Sequence, residues 1–410
     1  MVMQPSREQF RALAAQHSVV PVWREVLADQ ITPVAGFARL VGDDPGFLFE
    51  SVDRERWGRW SFVGRDAQAT LVSRDGLITV EGTLPPHVPL DQGMLAAVEA
   101  VLAAYQSPQL DDLPPLHGGI VGYLGYEVVR EVEHLPDAPP DDRGLPDAVM
   151  SIIGSVAAFD HWKQRVVLLS NAFVSPDMTD AQLDAAYDGA VARVEQMLAA
   201  GARAIDEPVF DPPGETDPLP DVSRTVTKER FTDMVNVAKE HIVAGDIFQV
   251  VLSQRFDLDL DADPFDMYRS LRQVNPSPYM YFIRHPEITV VGSSPEPMVQ
   301  LLGGRVISRP IAGTRRRGRT EVDDKRMAAE LSEDPKERAE HIMLVDLARN
   351  DVGRVGVFGT EQVDELFTLE RYSHVMHLTS QVSADLKPGL TPIDVLRATL
   401  PAGTVSGAPK

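Results

Sequence analysis

The sequence predicts an α+β fold of largely antiparallel sheets packed with helices. Three observations lead there. Short segments with apolar residues at period two are joined by tight turns, which favours antiparallel pairing. Amphipathic helical segments are interspersed among them and do not follow the strand–helix repeat of a doubly wound sheet. The chain has 410 residues and 43% hydrophobic content, enough for more than one core unit.

Composition removes several function classes. The net charge of -22 argues against nucleic acid as a partner, and the arginines at 315–319 stand alone as a basic cluster. Cysteine is absent, so disulfides, thiolate metal sites and cysteine nucleophiles are excluded, including a cysteine glutaminase within this chain. No apolar run is long enough to span a bilayer and no secretory h-region stands near the N-terminus, so a cytoplasmic protein is expected and no membrane partner.

The elements follow in order. Ser6 opens a leading helix, and PVWREVLAD is extended. Phe47–Phe49 and Trp60–Val63 read as two short strands, the first ending in the polar pair Glu50-Ser51. Residues 67–83 form a hairpin turning at Asp75-Gly76. Residues 91–106 are helical. GGIVGYLGYE at 118–127 lacks the spacing of a dinucleotide loop and reads as a glycine-rich strand and turn. MSIIGSVAAFD and RVVLLSNAF are strands, and residues 180–204 a surface helix. Residues 210–224 hold four prolines and several acids and read as a linker or crossing loop. The organisation expected is therefore an N-terminal region 1–209, the linker 210–224, and a second region 225–410.

That second region opens with a helix capped by Thr227, with an apolar stripe through Phe231, Met234, Val235, Ala238 and Ile242. IFQVVLSQRFDLDL alternates as a strand and carries Gln249 on its other face. A glutamine among apolar residues needs hydrogen-bond partners, which a neighbouring strand could supply. A helix at 264–274, a turn at Asn275–Pro278 and a strand from Tyr279 follow; core packing accounts for Tyr279, Met280 and Tyr281. ITVVGSS is the next strand. Gly303-Gly304 turns a hairpin, and Pro310–Thr314 leaves the sheet as a loop with exposed N–H groups. Asp334 caps a helix with Pro335 at N1 and Glu337 three residues on. Glu337 and Glu340 share a face of it, with Glu333 just before the cap. Such a face can hold a divalent metal through hard oxygens, or it can be a solvated face paired with Lys336 and Arg338. Residues 368–384 are strand-like and carry His374 and His377. A buried, backbone-bonded histidine is the commoner case. A helix at 391–398 precedes the final PAGTVSGAPK.

SSPEP, RPIAGTRRRG and ERAEHIMLVDLARNDVGRV are similar to the signature segments of the chorismate-utilising enzymes, most of all to anthranilate synthase component I. The likeness extends over most of the chain in the family's order. It implies the two-unit sandwich of that superfamily. It implies a lyase that converts chorismate and ammonia to anthranilate and pyruvate, with ammonia from a glutamine amidotransferase subunit, component II. Mg2+ is the implied cofactor, held by Glu340 and holding the ring carboxylate. Glu296 is the implied general acid for the leaving hydroxyl, with a carboxyl protonated near neutral pH. His377 faces chorismate, and Gly313 and Thr314 bind its oxygens. Gln249 stands where water-adding relatives carry a lysine base. Ala312 stands where aminodeoxychorismate synthases often carry a nucleophilic lysine. Arg316 departs from a common proline and Phe49 from a leucine.

The same resemblance assigns Glu50, Ser51, Pro278, Tyr279 and Met280 to a pocket for inhibitory tryptophan. These residues come from different halves of the chain, so the ligand would clamp the N-terminal region onto the catalytic one. The family continues past PAGTVSGAPK with a second metal glutamate and a substrate arginine, so the sequence looks cut inside a motif. The competing readings are aminodeoxychorismate synthase component I and a non-catalytic tryptophan- or partner-binding fragment.

Overall fold

Apolar runs that alternate over short stretches build sheets here, and the sheets fall into two units. The computed structural model describes residues 2–51, 58–204, 209–214, 217–372, 374–403 and 405–409. The first unit comprises Met1–Asp211 and Met267–Ser294; the second comprises Pro212–Asp266 and Pro295–Lys410. The fold is α+β with antiparallel sheets, as the turn spacing implies. The region expected to run unbroken from 225 to 410 is instead interrupted, because Met267–Ser294 belongs to the first unit. The cause is strand pairing. Tyr279–His285 adds to the edge offered by Gly46–Glu50, where Phe282 meets Leu48 in a fully buried row. Residues 215–216 of the 210–224 stretch lie outside the described residues.

In the first unit a seven-stranded sheet runs in the order Val19–Leu27, Arg165–Phe173, Ser155–Asp160, Trp60–Arg65, Gly46–Glu50, Tyr279–His285, Ile288–Ser294. A four-stranded sheet holds Leu77–Gly82, Ala69–Arg74, Ala148–Ile152 and Ile120–Leu124. The run MSIIGSVAAFD is two strands, not one: it changes sheet at Gly154, where an added Cβ would lie 1.7 Å from the Asp66 carbonyl oxygen. Helix Asp180–Gly201 is capped by Thr179 and buries Tyr187, Ala190, Val194 and Met197. The turn at Asp75-Gly76 has positive φ at both positions, as a type I′ hairpin needs.

In the second unit one long strand, Val375–Asp385, organises a five-stranded sheet. One edge pairs with Gln362–Arg371. The other edge is shared in succession by Ile311–Arg316 and Arg305–Ser308. The 368–384 stretch therefore holds two strands, not one. Pro310–Thr314 is not a free loop either: Ile311–Arg316 is a strand with a bulge between Ala312 and Thr314. Alternate residues sort the sheet's faces. Met376, Leu378, Val382 and Ala384 pack under two helices, against Leu331 of Glu321–Glu333 and Val345, Ala348 and Val352 of Pro335–Val355. Burying each of these larger side chains contributes about 1.5–3 kcal/mol.

Two expectations fail in the 225–266 segment. Helix Lys228–Ala244 forms with Thr227 as its cap, but none of its stripe is buried. IFQVVLSQRFDLDL makes only the two-residue strands Gln249–Val250 and Phe256–Asp257. Among the described residues no sheet face covers these apolar side chains, and strand extent follows the partner more than the alternation.

Candidate active site

The site of the second unit is built on the bulge at Gly313. Its φ of +69° is open to glycine, and a Cβ there would lie 3.0 Å from Leu331 Cδ1 and 3.2 Å from Glu337 Oε2. The glycine thus lets the carboxylate helix approach the strand. The bulge also shifts the register so that Thr314 stands directly opposite His377. His377 Nδ1 lies 3.1 Å from Thr314 Oγ1 and 3.2 Å from the Gly313 carbonyl oxygen. A carbonyl only accepts, so this geometry assigns a proton to Nδ1, and in the neutral ring that leaves Nε2 as an acceptor.

Helix Pro335–Val355 starts as its sequence demands. The Asp334 carboxylate accepts from the backbone N–H groups of Lys336 and Glu337. These two donors, with Arg315, hold the Asp334 pKa below its ordinary value. Arg315 donates to Glu337 at 3.0 Å and to Asp334 at 2.8 Å, pinning the basic segment to the helix start. Arg338 donates to the Ser332 carbonyl and lies over the Phe367 ring at 4.0 Å. Glu333, Glu337 and Glu340 are therefore not one solvated face paired with Lys336 and Arg338. Glu337 is half-buried in an ion pair with Arg315, whereas Glu340 is exposed and has no ion-pair or hydrogen-bond partner among the described residues.

Glu296 joins this group through Ile311, whose backbone N–H donates to its carboxylate. The residue keeps access to solvent, yet the surrounding protein is dense enough to penalise charge. Burial pushes its pKa up to about 7, against the pull of the Ile311 N–H. Gln249 lies on a two-stranded ribbon, opposite Ala408. Ala312 is buried beside the bulge.

Glu50, Ser51, Pro278, Tyr279 and Met280 all lie in the first unit, so the expected clamp between two halves of the chain is corrected. Met280 is paired with Glu50 across the sheet. Glu50 is 5% exposed and already engaged: Tyr268 Oη donates to it at 2.6 Å, Arg272 Nη2 donates at 3.1 Å, and Arg272 Nε lies 2.7 Å away in the same ion pair. Burial and the Glu50 charge push the Tyr268 phenol pKa far up, so it stays a donor. The Ser51 hydroxyl is buried and has no hydrogen-bond partner among the described residues.

Sequence reading missed Arg309, Glu370 and Tyr372. Arg309 donates to Glu370 at 2.7 Å in a buried pair, and Tyr372 Oη donates to the other Glu370 oxygen at 2.7 Å. Their signal lay in strand register, which places Glu370 opposite His377 and was not readable while the stretch passed for one strand.

Comparison with known proteins agrees with this architecture. The family model described as chorismate binding enzyme matches residues 45–410. The anthranilate synthase component 1 of Mycolicibacterium smegmatis is 46% identical over 414 residues, covering 99% of this chain and 78% of that protein. That of Thermus thermophilus is 44% identical over 397 residues, covering 95% and 80%. Among solved structures, anthranilate synthase component I from Streptococcus pneumoniae TIGR4 superposes with a TM-score of 0.72 at 32% identity, covering 94% of this chain and 81% of that one. The menaquinone-specific isochorismate synthase MenF from Escherichia coli gives 0.63 at 16% identity, covering 98% and 79%, a likeness of fold alone. The chain belongs to the chorismate-binding enzyme family, within its anthranilate synthase component 1 branch. It is accordingly a chorismate-utilising lyase, an enzyme of aromatic amino-acid biosynthesis. No helix among the described residues is long and apolar enough to cross a membrane.

Proposed function

We propose that this chain is the ammonia-using, chorismate-binding subunit of an anthranilate synthase. The observation that carries the reading is Glu296: a carboxyl with a pKa near 7, hydrogen-bonded to the strand that presents Gly313 and Thr314 opposite His377. Ammonia adds at C2 of chorismate as the C4 hydroxyl leaves. Hydroxide is a poor leaving group, so Glu296 donates its proton to that oxygen, and at neutral pH a large fraction of it still holds one. His377 offers Nε2 as an acceptor that orients a ring substituent. The bulge brings Thr314 beside it to bind a substrate oxygen. Pyruvate is then eliminated and aromatisation drives the step.

The residues present fit Mg2+ in part. Glu340 supplies one exposed, unengaged carboxylate, a hard oxygen ligand, while no group of three metal-ligating side chains exists among the described residues. Glu340 would hold the ion, which when bound stabilises charge on the substrate's ring carboxylate. Glutamine-derived ammonia would come from a component II partner, since the chain has no cysteine nucleophile. Tryptophan inhibition would act through the first unit. The unsatisfied Ser51 hydroxyl next to Glu50 supports this, and the ligand's amino group would compete with Arg272 and Tyr268 for the carboxylate. Incubation with chorismate, an ammonium salt and Mg2+ tests the reading. Anthranilate supports it; the para amine or isochorismate as sole product refutes it.

A further inference from the structure

We infer that Tyr372 is a positioning residue for His377, latched in place by the Arg309–Glu370 ion pair. The inference rests on the reading of His377 as a site residue given above. Thr314, His377 and Glu370 are successive cross-strand partners and share one row on the sheet face opposite Met376 and Leu378. Thr314 and Gly313 hold the imidazole from one side through Nδ1. On the other side the Tyr372 ring meets it edge to face, centroids 5.5 Å apart at 61°.

Tyr372 is held directly at three points, and the first of them is itself braced. Its hydroxyl donates to Glu370 at 2.7 Å. The second Glu370 oxygen accepts from Arg309 at 2.7 Å, and the Arg309 and Glu370 side chains are only 7% and 13% exposed. The Tyr372 backbone N–H donates to the Val375 carbonyl at 2.8 Å, and its carbonyl accepts from Arg317 at 2.7 Å. A buried carboxylate satisfied on both oxygens is rigid, because any movement strands a desolvated charge. The phenol therefore cannot rotate without leaving Glu370 short of a donor. The His377 ring is held between this wall and the Gly313 carbonyl, with Nε2 aimed one way. No step of the reaction passes through Tyr372; it fixes the direction of the acceptor.

Tyr372→Ala and Tyr372→Phe test this, with nitrogen NMR of the His377 ring and steady-state kinetics read together. The wild type should show a single tautomer, Nδ1 protonated and Nε2 bare. Tyr372→Ala should shift the ring signals toward a tautomer mixture and lower kcat by about 100-fold with KM little changed. Tyr372→Phe keeps the wall and loses the latch, so it should fall between the two. It also carries the test if Tyr372→Ala does not fold. Unchanged ring signals in both variants overturn the inference, whatever the rates do. Shifted signals with full turnover in both Tyr372→Ala and His377→Ala uphold the positioning and instead remove His377 from the reaction.

Discussion

Glu50 and Glu296 are both desolvated carboxylates, one in each unit, and the chain treats them in opposite ways. Glu50 is compensated: Arg272 supplies a cation and Tyr268 a phenol donor, each within 2.7 Å. Glu296 is desolvated with a backbone N–H as its opposing influence, and its pKa rises to about 7. Desolvation balanced by a cation makes a structural anchor between a strand and a helix. Desolvation that outweighs a backbone N–H dipole raises a carboxyl toward neutrality, so that it can hold its proton there. On the proposed reading the same residue type is a tie in one place and a reagent in the other.

The largest expected effect comes from removing the reagent. Glu296→Gln should lower turnover by about 10²- to 10⁴-fold, the range for a lost general acid. The pH profile sharpens the point: activity should fall as pH rises through about 7, where the acid loses its proton. The sign for stability is also fixed. A carboxyl whose folded pKa lies above 4.5 binds more protons in the native state, so its stabilising contribution, full below that value, is lost as pH rises toward 7. Glu296→Gln should flatten that slope in chemical unfolding curves. A variant with wild-type turnover and an unchanged slope would make Glu296 an ordinary polar residue.

Glu340→Gln should come next, losing activity at ordinary Mg2+ and regaining part of it at high Mg2+, with the thermal midpoint unmoved because the side chain is exposed. Full activity would return Glu340 to the role of a solvated helix residue. On the structural side of the comparison, Glu50→Gln should cost about 2 kcal/mol in denaturant unfolding, since Arg272 loses a charged partner but keeps some solvent. No loss would mean that the tie is idle.

How far all this was legible in the sequence depends on range. Caps and turns were: Asp334, Thr227, Gly303-Gly304 and Asp75-Gly76 behave as local chemistry dictates. The motif residues around Gly313 and His377 were legible as a family likeness, but the bulge that joins them was not. Strand pairing across long separations was the blind spot. It moved Met267–Ser294 into the first unit, and it hid Glu370 and Tyr372 behind a stretch read as a single strand. The stripe on Lys228–Ala244 shows the converse, a clear pattern without a covering partner among the described residues.

The smallest effect on turnover is expected at Ser51. Ser51→Phe should leave basal activity near normal and raise the tryptophan concentration needed for inhibition, because it replaces with a ring the hydroxyl that the proposed ligand would meet. By reciprocity, chorismate should weaken tryptophan binding in the wild type by the factor that tryptophan weakens chorismate. Equal tryptophan sensitivity in the two forms would leave Ser51 a buried hydroxyl with no regulatory part.

The central claim is that the open, protonated carboxyl beside the Gly313 bulge serves amination of chorismate. Product analysis of the wild type and Gln249→Lys, each with chorismate, ammonium salt and Mg2+, tests it most directly. The account predicts anthranilate from the wild type, and from the lysine variant less anthranilate with some isochorismate or salicylate, the new amine acting as a base for water. Para-amine or isochorismate as the wild type's sole product would contradict it.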